Sequence, residues 1–195
     1  MIKFYMSIVC YVGADYGILD CATGTPLPDY WTATLWNWMV GPTVLSATVG
    51  QAATELESGG DSNLRVYAHC TAEDNGLGPV TLIVLNLADE DVAVSVVGGS
   101  GNPLMWQLAP EDKAGPVGGG SGLNGTGITL NGHPLRLIEN NTYPSPSWGP
   151  PGDLMPDLTQ FLTHFDPDGV TLAPRSITFL TLNLDLDLGE HPACK

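Results

Sequence analysis

The chain has 195 residues, and 6 Lys+Arg stand against 21 Asp+Glu, a formal net charge of −15. So acidic a chain excludes the common routes to nucleic acid and to anionic membrane surfaces, both of which need clustered Lys and Arg. A hydrophobic fraction of 43% supplies a folded core, and 24 Gly with 16 Pro point to many turns between short strands rather than to long helices.

In chain order, residues 7–12 are rich in β-formers and read as a buried strand. The rival reading of the start is a very short signal peptide ending at Gly13-Ala14. Residues 29–40 are the one convincing helix: Pro26 and Pro28 precede it, Asp29 is placed to cap it, and Gly41-Pro42 stops it. Trp31, Leu35, Trp38 and Met39 recur at helical spacing and predict one apolar, packed face. After Pro42 the period changes to two. Residues 44–48, 64–70, 80–87, 92–97, 104–108, 128–130, 135–138 and 177–186 predict short strands separated by Gly, Asn and Pro clusters. The alternation from Leu182 to Leu188 predicts leucines facing a core and polar side chains facing water. Residues 144–167 form a long proline-rich connection with no expected regular structure. Some eight strands at this spacing predict a mainly β fold of sandwich type. A strand and helix ahead of a sandwich are best explained as the end of a larger α/β domain.

Little local chemistry stands out. Cys10, Cys21, Cys70 and Cys194 lack zinc-ligand spacing, so no metal site is expected. Asn124 and Asn140 head two glycosylation sequons in Gly/Asn-rich stretches. Residues 120–125 match GxGxxG but lack the preceding strand and following helix that would aim backbone N–H groups at a pyrophosphate, so no nucleotide cofactor is expected. His69, His133, His164 and His191 are scattered and read as structural or exposed. The carboxylates from Glu55 to Asp112 fall mostly in loop-like stretches and read as solvated surface. No run approaches the ~18 apolar residues of a membrane span.

Four ordered stretches carry a resemblance: Gly13-Ala14-Asp15-Tyr16-Gly17-Ile18-Leu19, residues 28–41, Leu64-Arg65-Val66-Tyr67-Ala68-His69-Cys70, and Pro192-Ala193-Cys194-Lys195. Residues 130–135 and 173–179 add to it. In order and spacing they resemble the C-terminal part of heparanase-like enzymes, glycoside hydrolase family 79, and the plant-type members in particular. The resemblance implies a (β/α)₈ barrel beside a β-sandwich. Residues 1–42 would then hold the last barrel strand and helix, with the sandwich in 43–195. It implies a retaining β-glucuronidase acting on a glucuronate-containing polysaccharide or proteoglycan glycan. Its two catalytic glutamates would lie upstream in the missing N-terminal barrel, leaving no catalytic residue in this chain.

Carried over residue by residue, the Ala14 backbone N–H and the Tyr16 hydroxyl would hold the glucuronate carboxylate, as suits N–H and O–H donors. Ala14 stands where the family has glycine, and Asp15 where it has asparagine. Cys70 and Cys194 match positions the family joins by a disulfide. The resemblance implies the secretory pathway, with the protein in the cell wall, outside the cell, in a lysosome or vacuole, or at the periphery of a membrane. With only Lys3, Arg65, Lys113, Arg136, Arg175 and Lys195 basic, and dispersed, the chain suits lightly charged glycans better than a highly sulfated one. The alternatives are a secreted, non-catalytic β-sandwich that binds carbohydrate or protein, and a small secreted interaction protein with a short signal peptide.

Overall fold

The computed structural model describes residues 18, 26–50, 63–72, 79–97, 99–111, 127–135, 163–166, 169–184 and 194. Helix α1 (Pro28–Met39) begins one residue earlier than the sequence predicts. Pro28 occupies its first turn, where a missing N–H costs nothing. The cap position is therefore Leu27, which makes no side-chain capping bond, and Asp29 is not the cap. Asp29 instead lies in the first turn, where a carboxylate meets the positive end of the helix dipole.

The helix also ends differently. Gly41-Pro42 does not form a stop outside regular structure. Strand β1 (Val40–Leu45) starts directly at Val40 and runs through both residues, so the strand expected at 44–48 is shifted toward the helix. The reason is tertiary. The Met39 carbonyl, left without a partner in its helix, accepts from Ala72 N at 2.9 Å and from the Thr81 hydroxyl at 3.0 Å. Thr81 Oγ1 in turn shares a hydrogen bond of 2.9 Å with Thr71 Oγ1. The sheet thus satisfies the helix end that a capping loop would otherwise satisfy.

Gly41 has a packing reason rather than a conformational one. A Cβ built there would lie 2.6 Å from the Cys70 carbonyl oxygen and 3.0 Å from that of Thr71. Both contacts are to backbone of strand β2 (Leu64–Thr71), which pairs antiparallel with β1. Gly41→Ala is expected to push β1 off β2 and cost about 1–3 kcal/mol, as overpacking does. Urea unfolding with an unchanged midpoint would refute this.

The remaining strands are β3 (Val80–Asn86), β4 (Val92–Val94), β5 (Gly99–Pro110), β6 (Ile128–Leu130), β7 (His133–Pro134), β8 (Thr163–His164), β9 (Val170–Leu172) and β10 (Ser176–Leu184). The main sheet has eight strands in the order β1-β2-β3-β10-β5-β6-β7, with β8 on β5, and β4 and β9 form a second sheet of two. The mainly β, sandwich-type architecture expected from the period-two pattern is present. Strands 64–70, 80–87 and 128–130 lie where predicted, within one residue at each end.

Three differences stand out. The strand expected at 92–97 ends at Val94. Leu135, where a strand was expected to begin, lies just past β7, which ends at Pro134, and residues 136–138 of that expected strand lie outside the described residues. The connection at 144–167 contributes β8, paired with Leu104 and Met105. Between β6 and β7, Asn131 and Gly132 both take positive φ, 48° and 81°, which suits a two-residue hairpin turn. Asn131 holds the turn against β5, accepting from Gln107 N and donating to the Met105 carbonyl, both at 2.7 Å.

Both faces of the main sheet are covered. On one face Ile83, Trp106, Leu108, Ile128, Leu130 and Phe179 pack with Trp31, Leu35 and Met39 of α1, and Trp38 joins them half-buried. The helix face predicted from spacing is therefore the packed one. On the other face Val84 and Leu180 pack with Val170 and Leu172 of β9 and with Val94. The central strand β10 shows the result. Phe179, Leu180 and Leu182 are buried, but so are Thr178 and Thr181. The helix and the small sheet leave neither face of β10 in water, and Leu182, the first of the leucines expected to face the core, is buried as expected. Residues 185–188 lie outside the described residues.

Candidate functional site

The family-derived ligand contacts, Ala14 and Tyr16, lie outside the described residues, as do the strand expected at 7–12 and the sequons at Asn124 and Asn140. The described residues show what anchors the stretch after Tyr16. Leu27 N donates to the Ile18 carbonyl at 2.8 Å, tying a backbone group two residues beyond Tyr16 to the start of α1. Pro26, just before that start, is buried. Since α1 is fixed on the sheet by Trp31, Leu35 and Met39, Ile18 hangs from the same core.

Cys70 and Cys194 are joined, with Cα atoms 5.3 Å apart and 124 residues between them in sequence. Among the described residues no cysteine is free. Cys70 lies in β2 beside Gly41, where the helix–strand junction meets the sheet. The preceding residue, His69, is half-buried. Its Nδ1 lies 3.0 Å from the Gly41 carbonyl, so that nitrogen carries the proton, because a carbonyl only accepts. The His69 ring also meets Trp36 of α1 edge-on, with centroids 5.6 Å apart. This fits the structural reading of His69. His133 and His164 are exposed, and His191 lies outside the described residues.

A second cluster was not foreseen from the sequence. Asn86, fully buried at the end of β3, donates from Nδ2 to the carbonyls of Glu90 (3.0 Å), Ala173 (2.9 Å) and, more weakly, Leu172 (3.3 Å). Its Oδ1 accepts from Ala88 N at 3.0 Å. One side chain therefore satisfies the backbone of two loops, at 87–91 and 172–175. Beside it Arg175 N donates to the Ala88 carbonyl, and Arg175 Nε meets Asp89 Oδ1 at 2.6 Å. The hydrogen bond and charge of Arg175 hold the exposed Asp89 carboxyl below the usual carboxylate range. Arg175 takes a positive φ of 52°, held by these contacts and by Ser176 Oγ donating to the Ala173 carbonyl at 2.7 Å. A buried Asn among strand residues is the only sequence signal for this corner, and pairing it with residues 87 positions away needs the fold. Asn86→Ala is expected to destabilise by about 2–4 kcal/mol, since buried backbone groups lose their partners. A variant unfolding at the parent's urea concentration would show that water replaces the amide.

Among the described residues, no three His, Cys, Asp or Glu are grouped to hold a metal ion, and no helix is long and apolar enough to cross a membrane. The corner at Asn86 and the junction at Cys70 are built to hold backbone in place. Neither gathers the paired carboxylates of glycoside hydrolysis.

No family model matches the chain. Among curated proteins it is 38% identical over 134 residues to the baicalin-β-D-glucuronidase of Scutellaria baicalensis, covering 68% of this chain and 22% of that protein. It is 31% identical over 148 residues to mouse heparanase, covering 74% and 25%. It is 32% identical over 124 residues to human inactive heparanase-2, covering 61% and 20%. The chain thus spans about a fifth to a quarter of the length of these relatives. With a helix-covered, disulfide-tied β-sheet domain and these matches together, the chain is a relative of the heparanase-like glycosidases.

Proposed function

We propose that the chain is the C-terminal portion of a retaining β-glucuronidase that acts on glucuronate-containing glycans. Its acid/base and nucleophilic glutamates are supplied by a barrel domain upstream. The observation that carries this reading is 38% identity, over two thirds of the chain, to a protein named as a β-D-glucuronidase. Residues 1–42 are assigned to the last barrel strand and helix, and Ala14 and Tyr16 to the site that holds the glucuronate carboxylate. Active sites of such barrels lie at the C-terminal ends of the strands, where residues 13–16 would fall. The hydrogen bond from Leu27 to Ile18 supports this by tethering the Tyr16 stretch to a core-anchored helix. The Cys70–Cys194 bond supports an oxidising compartment, in keeping with the secretory pathway and with glycosylation at Asn124 and Asn140.

The test is turnover of a chromogenic glucuronide. The 195-residue chain alone is expected to be inert. The chain extended by its upstream coding sequence is expected to turn over, and Tyr16→Phe in it to lower kcat/KM by roughly 10–100-fold, the worth of one hydrogen bond to a charged group. Turnover by the 195-residue chain alone would overturn the reading. So would an upstream region without two in-frame barrel-strand glutamates. The match to a relative named inactive supports a second reading, a non-catalytic glycan-binding parent. An extended chain that binds glucuronides without cleaving them would establish it.

A further inference from the structure

We propose that Asn131 is a site of spontaneous chemical modification that the fold holds in check. Its side-chain amide is lost as ammonia when the β6–β7 hairpin opens, and the product no longer seats on β5.

The first observation is the dipeptide and its surroundings. Asn131 is followed by Gly132. A backbone nitrogen can attack the side-chain carbon of a preceding asparagine, and glycine favours this because it brings no Cβ to hinder the approach. Gly132 is exposed, and nothing lies within 4 Å of the position a Cβ would take there, so water reaches the turn. Water is also the one co-reactant required. The Gly132 nitrogen gives its proton to a base and bonds to Asn131 Cγ. The Cγ–Nδ2 bond breaks, and the amide group leaves as ammonia. Water then opens the cyclic imide at either carbonyl, giving aspartate or isoaspartate.

The second observation is that the folded chain blocks the first of these steps. Asn131 Oδ1 accepts from Gln107 N, and Nδ2 donates to the Met105 carbonyl, both at 2.7 Å. The Asn131 backbone N donates to the Gln107 carbonyl at 2.9 Å. Asn131 thus fills the stretch of β5 between Leu104 and Met105, which pair with β8, and Leu108, where pairing with β6 begins. Turning Cγ onto the Gly132 nitrogen would break both side-chain bonds. The hairpin must therefore leave β5 before the amide reacts.

The third observation is that neither product fits. An aspartate has no hydrogen to donate to the Met105 carbonyl and sets a negative charge against it. An isoaspartate adds a methylene to the backbone of a turn whose φ values, 48° and 81°, fit a two-residue loop. Both changes loosen a hairpin that seats in the core. Leu130 is fully buried, and Leu135 is buried with its N donating to the Ile128 carbonyl at 2.9 Å. Each opening that ends in reaction is irreversible.

The test ages the full chain at neutral pH, in buffer and in urea that unfolds it. Peptide mapping by mass spectrometry follows residue 131. Asn75, which heads the same Asn-Gly dipeptide, checks that the reaction proceeds in urea. The chemistry is slow relative to opening and closing, so the rate in the folded chain follows the open fraction. Asn131 should react roughly 30-fold or more slowly in the folded chain than in the unfolded one. The rate should rise in urea too dilute to unfold the chain, in step with hydrogen exchange at the Leu135 amide. In Asn131→Asp, exchange at Leu135 should be about tenfold faster than in the parent. A folded-state rate within about threefold of the unfolded rate would overturn the proposed control by the fold. An Asn131→Asp variant with the parent's exchange protection at Leu135 would overturn the claim that the product is unseated.

Discussion

Serine at Cys70 or Cys194 is expected to destabilise the domain by up to about 4–5 kcal/mol. The bond closes a loop spanning 124 positions, and the loss of chain freedom in the unfolded state grows with the logarithm of that length. The location adds to the effect. Cys70 is buried in β2, between its partners β1 and β3, at the point where Gly41 passes close to its carbonyl oxygen. The bond ties residue 194, ten positions beyond the end of β10, back to the strand that receives α1. Urea unfolding with and without reductant measures the difference, and a midpoint insensitive to both reductant and mutation would refute it. Non-reducing peptide mapping should recover a Cys70–Cys194 linked pair, and free thiols at both positions in secreted material would refute the bond itself.

Trp106→Ala should cost about 3–5 kcal/mol, the range for emptying a large aromatic site in a packed core. Trp106 lies at mid-sheet on β5, opposite Phe179 of β10, and is fully buried. It meets the Trp38 ring edge-on with centroids 5.3 Å apart, so it joins the helix to the sheet as well as filling the core. Removing it leaves a cavity under α1 where Trp31, Leu35 and Met39 also seat. The near-UV circular dichroism of the paired tryptophans should weaken together with stability. Trp106→Phe, which keeps an aromatic ring in the site, should lose less. An alanine variant with the parent's unfolding midpoint would show that α1 collapses into the space and that the pair carries little.

The strands were legible where burial on one or both faces forces a run of β-formers between turn residues. Thus 64–70, 80–87 and 128–130 could be located from composition alone. The apolar face of α1 was legible for the same reason, since Trp31, Leu35, Trp38 and Met39 return every three or four residues. What misled was local punctuation read without its surroundings. Asp29 looked like a cap, but Pro28 could open the helix ahead of it. Gly41-Pro42 looked like a stop, but the glycine serves a close approach to β2. Short strands β8 and β9 carry too few residues to show a period. As for the candidate site, Tyr16 and Ala14 came from family resemblance alone, because two donors to a sugar carboxylate leave no periodic trace.

By itself the sequence determined the class of the fold and the helix face that packs. Those properties depend on composition and short spacing, which a chain displays before it folds. The tertiary structure alone decided which groups meet across the chain: Met39 with Thr81, Asn86 with Ala173, Arg175 with Asp89, and Trp36 with His69. Each joins residues tens of positions apart, and only the order of strands in the sheet brings them within hydrogen-bonding or ring-contact distance.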